Sequence, residues 1–412
     1  MGVLVVFGAL GLARFGYSLI LPPMQTALDL SNTQAGGLVT ANLLGYVIFS
    51  AVGGALAAHY RVRHIIAIGL LAAGLGMLFT GLAGGFVSAV VWRALTGMGS
   101  GASNVPVTAL MTAWFTARRR GLATGIVVSG SSVAIIITGP LVPRLLDVYG
   151  ESGWRASWFL FGAVTIGLAI CSYIVLRDRP GEVGQGLLGA DSATGELAAT
   201  RSGDGVHWKD VYRLPIVWHL GLVYIAFGFS YIIYMTFFAK SLMADGGYTK
   251  DAAGTLFMWV GWFSLFSGLI WGSVSDVIGR KRALIIVYLV HAVAFALFGL
   301  WPSPSGYSIS AVLFGLAAWS IPAIMAAACG DLLGPRLAPV AFGFITLFFG
   351  LGQAIGPSVA GALADALGTF GPAYVLAAIV SLIGAGGVLA LRAAPAASVR
   401  GGVGEVAPDR IR

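Results

Sequence analysis

Twelve apolar runs, most of them twenty residues or longer, follow one another along the 412-residue chain. Wound as a helix, about 20 residues cross the ~30 Å hydrocarbon core of a bilayer. Lipid offers the backbone no hydrogen-bond partners, so spanning segments are helices or closed barrels, and continuous runs of this length select helices. The runs fall near residues 3–28, 33–58, 64–84, 86–113, 121–147, 154–176, 214–242, 250–274, 282–301, 306–330, 337–363 and 370–391. Composition agrees, with 58% hydrophobic and 10% charged residues, where soluble domains average about 25% charged. The 60 glycines suit helices packed at close range in a membrane. The expected fold is an all-α membrane protein of twelve transmembrane helices. The first run is too long for a cleaved signal peptide and holds Arg14 near its centre, so it reads as a span.

The net charge of +8 does not point to nucleic acid, because the basic residues sit between the apolar runs. With the N-terminus placed in the cytoplasm, the inner connections and the C-terminal tail carry 18 Lys and Arg, and the outer connections only Arg144, Arg155, Lys240 and Lys250. Such a bias predicts cytoplasmic termini in a multi-pass protein of the cytoplasmic (inner) membrane. Cys171 and Cys329 both lie in apolar runs, where buried, inert thiols are expected instead of a disulfide or metal framework.

Residues 177–213 hold 11 of the 40 charged residues and are rich in Gly, Ala, Ser and Thr. They read as a cytoplasmic linker between a six-helix half over 1–176 and another over 214–391, with a disordered tail over 392–412. The linker's end, Trp208 to Arg213, suits a short interfacial helix. The halves repeat at an offset of about 217 residues: Gly139-Pro140 matches Gly356-Pro357, and Arg63 matches Arg280. A repeat that crosses six helices is parallel, and it places a site at the midplane between the halves.

Arg14 is the residue to explain. An arginine at the centre of a span costs about 2.5–3.5 kcal/mol on insertion scales. All 16 acidic residues lie in connections, tails or helix ends, so none stands at its depth. Two readings remain: a cation facing a substrate cavity, or an arginine hydrogen-bonded between helices. An unpaired guanidinium takes a carboxylate through two charge-assisted hydrogen bonds, which favours an anionic substrate.

Several motifs together resemble the major facilitator superfamily. Gly272-Ser273-Val274-Ser275-Asp276-Val277-Ile278-Gly279-Arg280-Lys281 resembles its loop signature. Arg93 with Gly97, Gly99 and Gly101 resembles its fourth-helix pattern, and the two Gly-Pro pairs its fifth- and eleventh-helix motif. The first loop signature is incomplete, since Ala58 and Arg61 replace the usual aspartate and glycine. Ala13-Arg14-Phe15-Gly16-Tyr17, the stretch Ala41 to Tyr46, and Gly330-Asp331 followed by Gly334-Pro335-Arg336 resemble the bacterial YbfB/YjiJ-type branch. Arg118 to Gly121 with Gly153-Trp154-Arg155 is similar to monocarboxylate and oxalate/formate carriers.

The resemblance implies a cavity lined by helices 1, 4, 7 and 10. Their mid-membrane polar and aromatic residues are Arg14, Tyr17, Asn104, Tyr231, Tyr234, Trp319 and Ser320, each a candidate for substrate contact or for packing. Asn42 and Gln353 are second-line candidates, more often helix-packing residues. Arg93 and His291 are candidates for gating or proton exchange. Asp276 and Arg280 form a candidate conformational latch, the carboxylate meeting the start of the fifth helix where the helix dipole favours anions. Because Ala58 stands at the matching position, one latch is expected instead of two.

Gly97-Met98-Gly99-Ser100-Gly101 mimics a dinucleotide loop but lies within a span with no strand before it. No HExxH, P-loop or GxSxG is present. No cofactor, metal or enzymatic activity is expected. The expected protein is a monomeric secondary transporter for a small organic anion, proton-coupled or exchanging. A drug or metabolite efflux pump and a non-transporting membrane sensor are the alternatives.

Overall fold

The computed structural model describes residues 1–184, 188 and 211–391. Most of the expected linker, all but the end of its interfacial helix, and the tail 392–412 lie outside the described residues. The described chain is helical, apart from turns and one isolated bridge between Phe115 and Leu188.

Among the described residues, ten stretches are long and apolar enough to cross a membrane. One of them, Gly121–Val175, holds two successive helices, and Phe86–Trp114 adds another helix of sufficient length. Twelve spans result. They are α1 (Gly2–Ala27), α2 (Asn32–His59), α3 (Val62–Gly81), α4 (Phe86–Trp114), α5 (Ala117–Val128 continued by Gly130–Tyr149) and α6 (Gly153–Val175). The second six are α7 (Pro215–Ala244), α8 (Lys250–Ile278), α9 (Arg280–Leu300), α10 (Pro304–Leu332), α11 (Val340–Leu367) and α12 (Gly371–Ala390). Helical backbone continues from α10 into α11, where the sequence predicts a break between residues 330 and 337. Multiple apolar spans make this a multi-pass membrane protein.

Local signals start the helices where the chain turns. Ser31 caps α2 in a capping box with Gln34, and Thr249 caps α8 by accepting from the Ala252 N–H. Side-chain caps of this kind satisfy amide donors that the first turn leaves free. α2 and α8 start at Asn32 and Lys250, α4 and α10 at Phe86 and Pro304, and α6 and α12 at Gly153 and Gly371, each pair 218 residues apart. The repeat seen in the motifs is therefore a repeat of helices.

α1 is not a plain α-helix. Residues Phe7–Phe15 are wound as a π-helix, with the Gly16 N–H reaching back five residues to the Gly11 carbonyl at 3.0 Å. Such wide segments are uncommon and occur frequently at functional sites.

The halves meet along α2 with α11 and α5 with α8. Glycine lets backbones touch there. A Cβ on Gly36 would lie 2.2 Å from the Pro357 carbonyl oxygen, and one on Gly139 2.6 Å from the Gly254 carbonyl oxygen. The polar links between the halves cluster between the midplane and the distal face, the face opposite Met1. Asp365 at the end of α11 accepts from the Asn32 N–H (2.9 Å), the Thr33 N–H (2.8 Å) and the Thr33 hydroxyl (2.6 Å) at the start of α2. Lys250 pairs with Asp147 at 2.5 Å. Nearer the midplane, the Thr40 hydroxyl donates to the Ala354 carbonyl at 2.6 Å.

Asp276 takes a partner within its own half. It pairs with Arg280 at 2.5 Å, and Arg280 Nε donates to Asp331 at 2.8 Å. One expectation is corrected: Cys329 is buried, but Cys171 is exposed on α6, because its position turns outward from the bundle.

Candidate functional site

α1 crosses the midplane between the halves, and its π-helical segment carries Arg14. The side chain is 91% buried. Its Nη1 donates to Gln353 Oε1 of α11 at 3.0 Å. The same oxygen accepts the Tyr231 hydroxyl of α7 at 2.9 Å. The Arg14 guanidinium also lies 4.4 Å above the Tyr46 ring centre, an interaction worth ~0.5–2 kcal/mol depending on exposure. Asn104 of α4 donates to the Tyr46 hydroxyl at 2.9 Å and holds that ring. Arg14 Nε and Nη2 are buried and make no hydrogen bond.

Aromatic rings wall the site. Trp319 of α10 lies 5.4 Å from Phe15 and 6.4 Å from Tyr231, centre to centre. Its indole N–H donates to Ser132 of α5 at 2.9 Å, and Ser132 bonds Ser264 of α8 at 2.8 Å. Tyr231 continues a stack with Phe227 (4.9 Å) and Phe349 (5.7 Å). The arrangement is one cation with two free N–H-bearing nitrogens among rings and neutral dipoles. In low dielectric such a cation attracts an anion far more strongly than in water.

The structure thus brings together Arg14, Asn104, Tyr231, Trp319 and Gln353. Gln353, read as a second-line residue, stands at the centre. The other candidates point elsewhere. The Tyr17 hydroxyl donates to the Ala35 carbonyl at 3.0 Å, and its ring lies 4.9 Å below the Arg93 guanidinium. The Tyr234 hydroxyl bonds Ser310 at 2.9 Å, deep in an aromatic cluster with Phe314 at 4.3 Å. The Ser320 hydroxyl donates to the Ala317 carbonyl one turn back. Asn42 donates to the Arg93 carbonyl at 3.1 Å and joins α2 to α4.

Arg93 is fully buried between the Tyr17 and Trp158 rings, each 4.9 Å away, and its Nη1 donates to the Ala13 carbonyl at 2.8 Å. His291 is enclosed by Phe227, Phe295 and Phe314, with Nδ1 3.0 Å from the Val287 carbonyl in its own helix. Both are built into their own halves. Sequence reasoning missed Tyr46 and Ser132. Tyr46 stands four residues beyond Asn42, on the same helical face, and that spacing was the available signal. Ser132, within Ser129-Gly130-Ser131-Ser132, gave none.

Comparison with known proteins bears on the same features. The chain is 24% identical over 378 residues to a hexuronate transporter of Bacillus subtilis (strain 168), covering 89% of this chain and 87% of that one. It is 24% identical over 385 residues to human monocarboxylate transporter 11, covering 91% and 78%. The fold matches the crystal structure of a bacterial homologue of the human lysosomal transporter Spinster, with a TM-score of 0.73 and 17% identity over 94% of this chain and 95% of that one. The family described as the uncharacterised MFS-type transporter YbfB matches residues 6–389. The chain therefore belongs to this YbfB-type family of major facilitator transporters, in two pseudo-symmetric six-helix halves, and it is not an enzyme.

Proposed function

We propose that the protein moves a small organic anion, a monocarboxylate, across the cytoplasmic membrane by alternating access, with both termini in the cytoplasm. The observation that carries this reading is Arg14: a buried cation at the junction of the halves, with two nitrogens unpartnered and no carboxylate among its contacts. The names of the two relatives, a hexuronate and a monocarboxylate transporter, agree with an anionic cargo. Proton coupling needs a titrating group near the substrate. His291 is the midplane candidate, and aromatic rings enclose it. We infer exchange of one anion for another.

The test is flux of labelled carboxylates into proteoliposomes, preloaded or empty, with wild type and Arg14→Ala. The expected result is uptake stimulated by internal carboxylate and abolished by Arg14→Ala. Uptake unchanged in Arg14→Ala overturns the anion site and favours the efflux reading, with the aromatic wall as a promiscuous pocket. Binding without flux in wild type favours a sensor.

A further inference from the structure

The C-terminal half grips Arg14 without neutralising it. Gln353 Oε1 accepts from Arg14 Nη1 at 3.0 Å and from the Tyr231 hydroxyl at 2.9 Å. Arginine only donates, so the amide atom facing it is the oxygen. An amide dipole satisfies one N–H and leaves the full positive charge in place. The nitrogens without partners are Nε and Nη2. They are neighbours on the guanidinium plane and form its side edge, whose two parallel N–H bonds match the two oxygens of a carboxylate. The one corner of the fork that is occupied is the corner that leaves this edge complete.

Arg14 and Tyr231 also stand 217 residues apart, the spacing of the sequence repeat. They occupy matching places in α1 and α7, and Gln353 joins them through one oxygen. A residue from each half thus meets at a single acceptor.

We propose that Gln353 is a positioning residue for substrate recognition: with Tyr231 it holds the guanidinium by Nη1 and presents the Nε–Nη2 edge as the seat of a single carboxylate. The inference rests on the anion reading above. It assigns Tyr231 a supporting role in place of direct substrate contact. It also explains why a glutamine stands at this position. Glutamate would accept the same hydrogen bonds but fill the site with a fixed negative charge, and leucine would let the guanidinium swing among its rotamers.

The experiment uses the purified full-length protein with lactate, benzoate and glucuronate as probes, and lactamide as a neutral match for lactate. Ligand-dependent melting gives Kd by mass action, and proteoliposome flux gives KM and maximal rate. Wild type is expected to be stabilised by at least one carboxylate and not by lactamide. Gln353→Leu should raise Kd and KM about tenfold while maximal flux stays within about twofold, because the edge is misplaced and not removed. Tyr231→Phe should raise Kd about threefold, losing one neutral hydrogen bond. Gln353→Glu, which keeps the hydrogen bonds and tests the site even if the leucine variant folds poorly, should abolish carboxylate binding while melting at or above the wild-type temperature.

Unchanged or tighter binding in Gln353→Leu overturns the positioning role, as does full binding in Gln353→Glu. Those results leave the anion reading intact provided that wild type responds and Arg14→Lys does not. A wild type that responds to none of the three carboxylates removes the anion reading and this inference with it.

Discussion

Asp147 and Asp365 stand 218 residues apart at matching ends of α5 and α11, and each carboxylate holds the start of the helix facing it from the other half. The chemistry differs between them. Asp365 binds two backbone N–H groups and a hydroxyl of α2, while Asp147 binds the side chain of Lys250 on α8. Asn32 and Lys250 are themselves repeat partners. One pair is fastened through the backbone of the first turn, where the helix dipole adds to the attraction, and the other through a long, exposed side chain.

Asp365→Asn should therefore loosen the distal face. Asparagine has one acceptor oxygen where Asp365 uses two, so the substitution keeps at most two of the three hydrogen bonds, now neutral, and turns an N–H donor toward another donor at this exposed site, a loss of about 1 kcal/mol. Single cysteines placed along the distal end of α2 should then label faster, with populations shifted roughly fivefold. Asp147→Asn should do the same to a smaller extent, and increasingly less as salt is raised. Equal labelling in wild type and Asp365→Asn would show that helix packing alone closes this face.

Gly36→Val tests the packing arm of the same closure. Any Cβ here meets the Pro357 carbonyl at 2.2 Å, so α2 and α11 must part. The expected outcome is faster distal-face labelling than Asp365→Asn produces. Gly343→Ala, on α11 with nothing within 4 Å of an added Cβ, is the control. It should leave labelling unchanged and stabilise the helix slightly, by up to about 1 kcal/mol.

Arg93 is expected to be structural. Arg93→Ala removes a long side chain from between two rings and should cost roughly 3 kcal/mol, read as a lower melting temperature in detergent. Arg93→Met keeps most of the volume and sheds a buried charge that no carboxylate neutralises among its contacts. That variant should melt within a few degrees of wild type and keep carboxylate affinity within about threefold. A methionine variant that folds but loses flux would restore a gating role.

For His291 the expectation concerns pH. Its Nδ1 faces a carbonyl of its own helix, and three phenylalanines surround the ring. His291→Phe should leave both the flux and the shape of its pH profile unchanged within about twofold. Loss of a titration between pH 5 and 8 in this variant would make the histidine the proton carrier.

Much of the fold was legible because lipid leaves so few alternatives. Twelve apolar runs gave twelve spans, and the 217-residue motif offset reappears as 218 between helix starts. Arg14 was legible for the same reason, since a charge in that position demands an explanation. What the sequence hid was direction. Tyr17 lies only three residues from Arg14, but its hydroxyl runs to Ala35 and its ring to Arg93. Tyr234 lies three residues from Tyr231 and is buried within its own half. Depth along a span can be read from a chain of letters. The face a residue presents depends on how helices are rotated, and in α1 the usual 3.6-residue period is broken by the π segment. Gln353 was undervalued because an amide reads as packing until its partner is seen to be a buried cation with no carboxylate among its contacts.

The wide segment Phe7–Phe15 has a mechanical meaning of its own. A stretch wound with five-residue hydrogen bonds holds slack that an α-helix lacks. Tightening it by one residue turns the chain on one side about the axis by about 100°, with little change in the helix's course. Arg14 sits in the last turn of that segment. A rod wound this way offers its charge a turn about the axis that a uniform α-helix of the same length would have to bend or break to make.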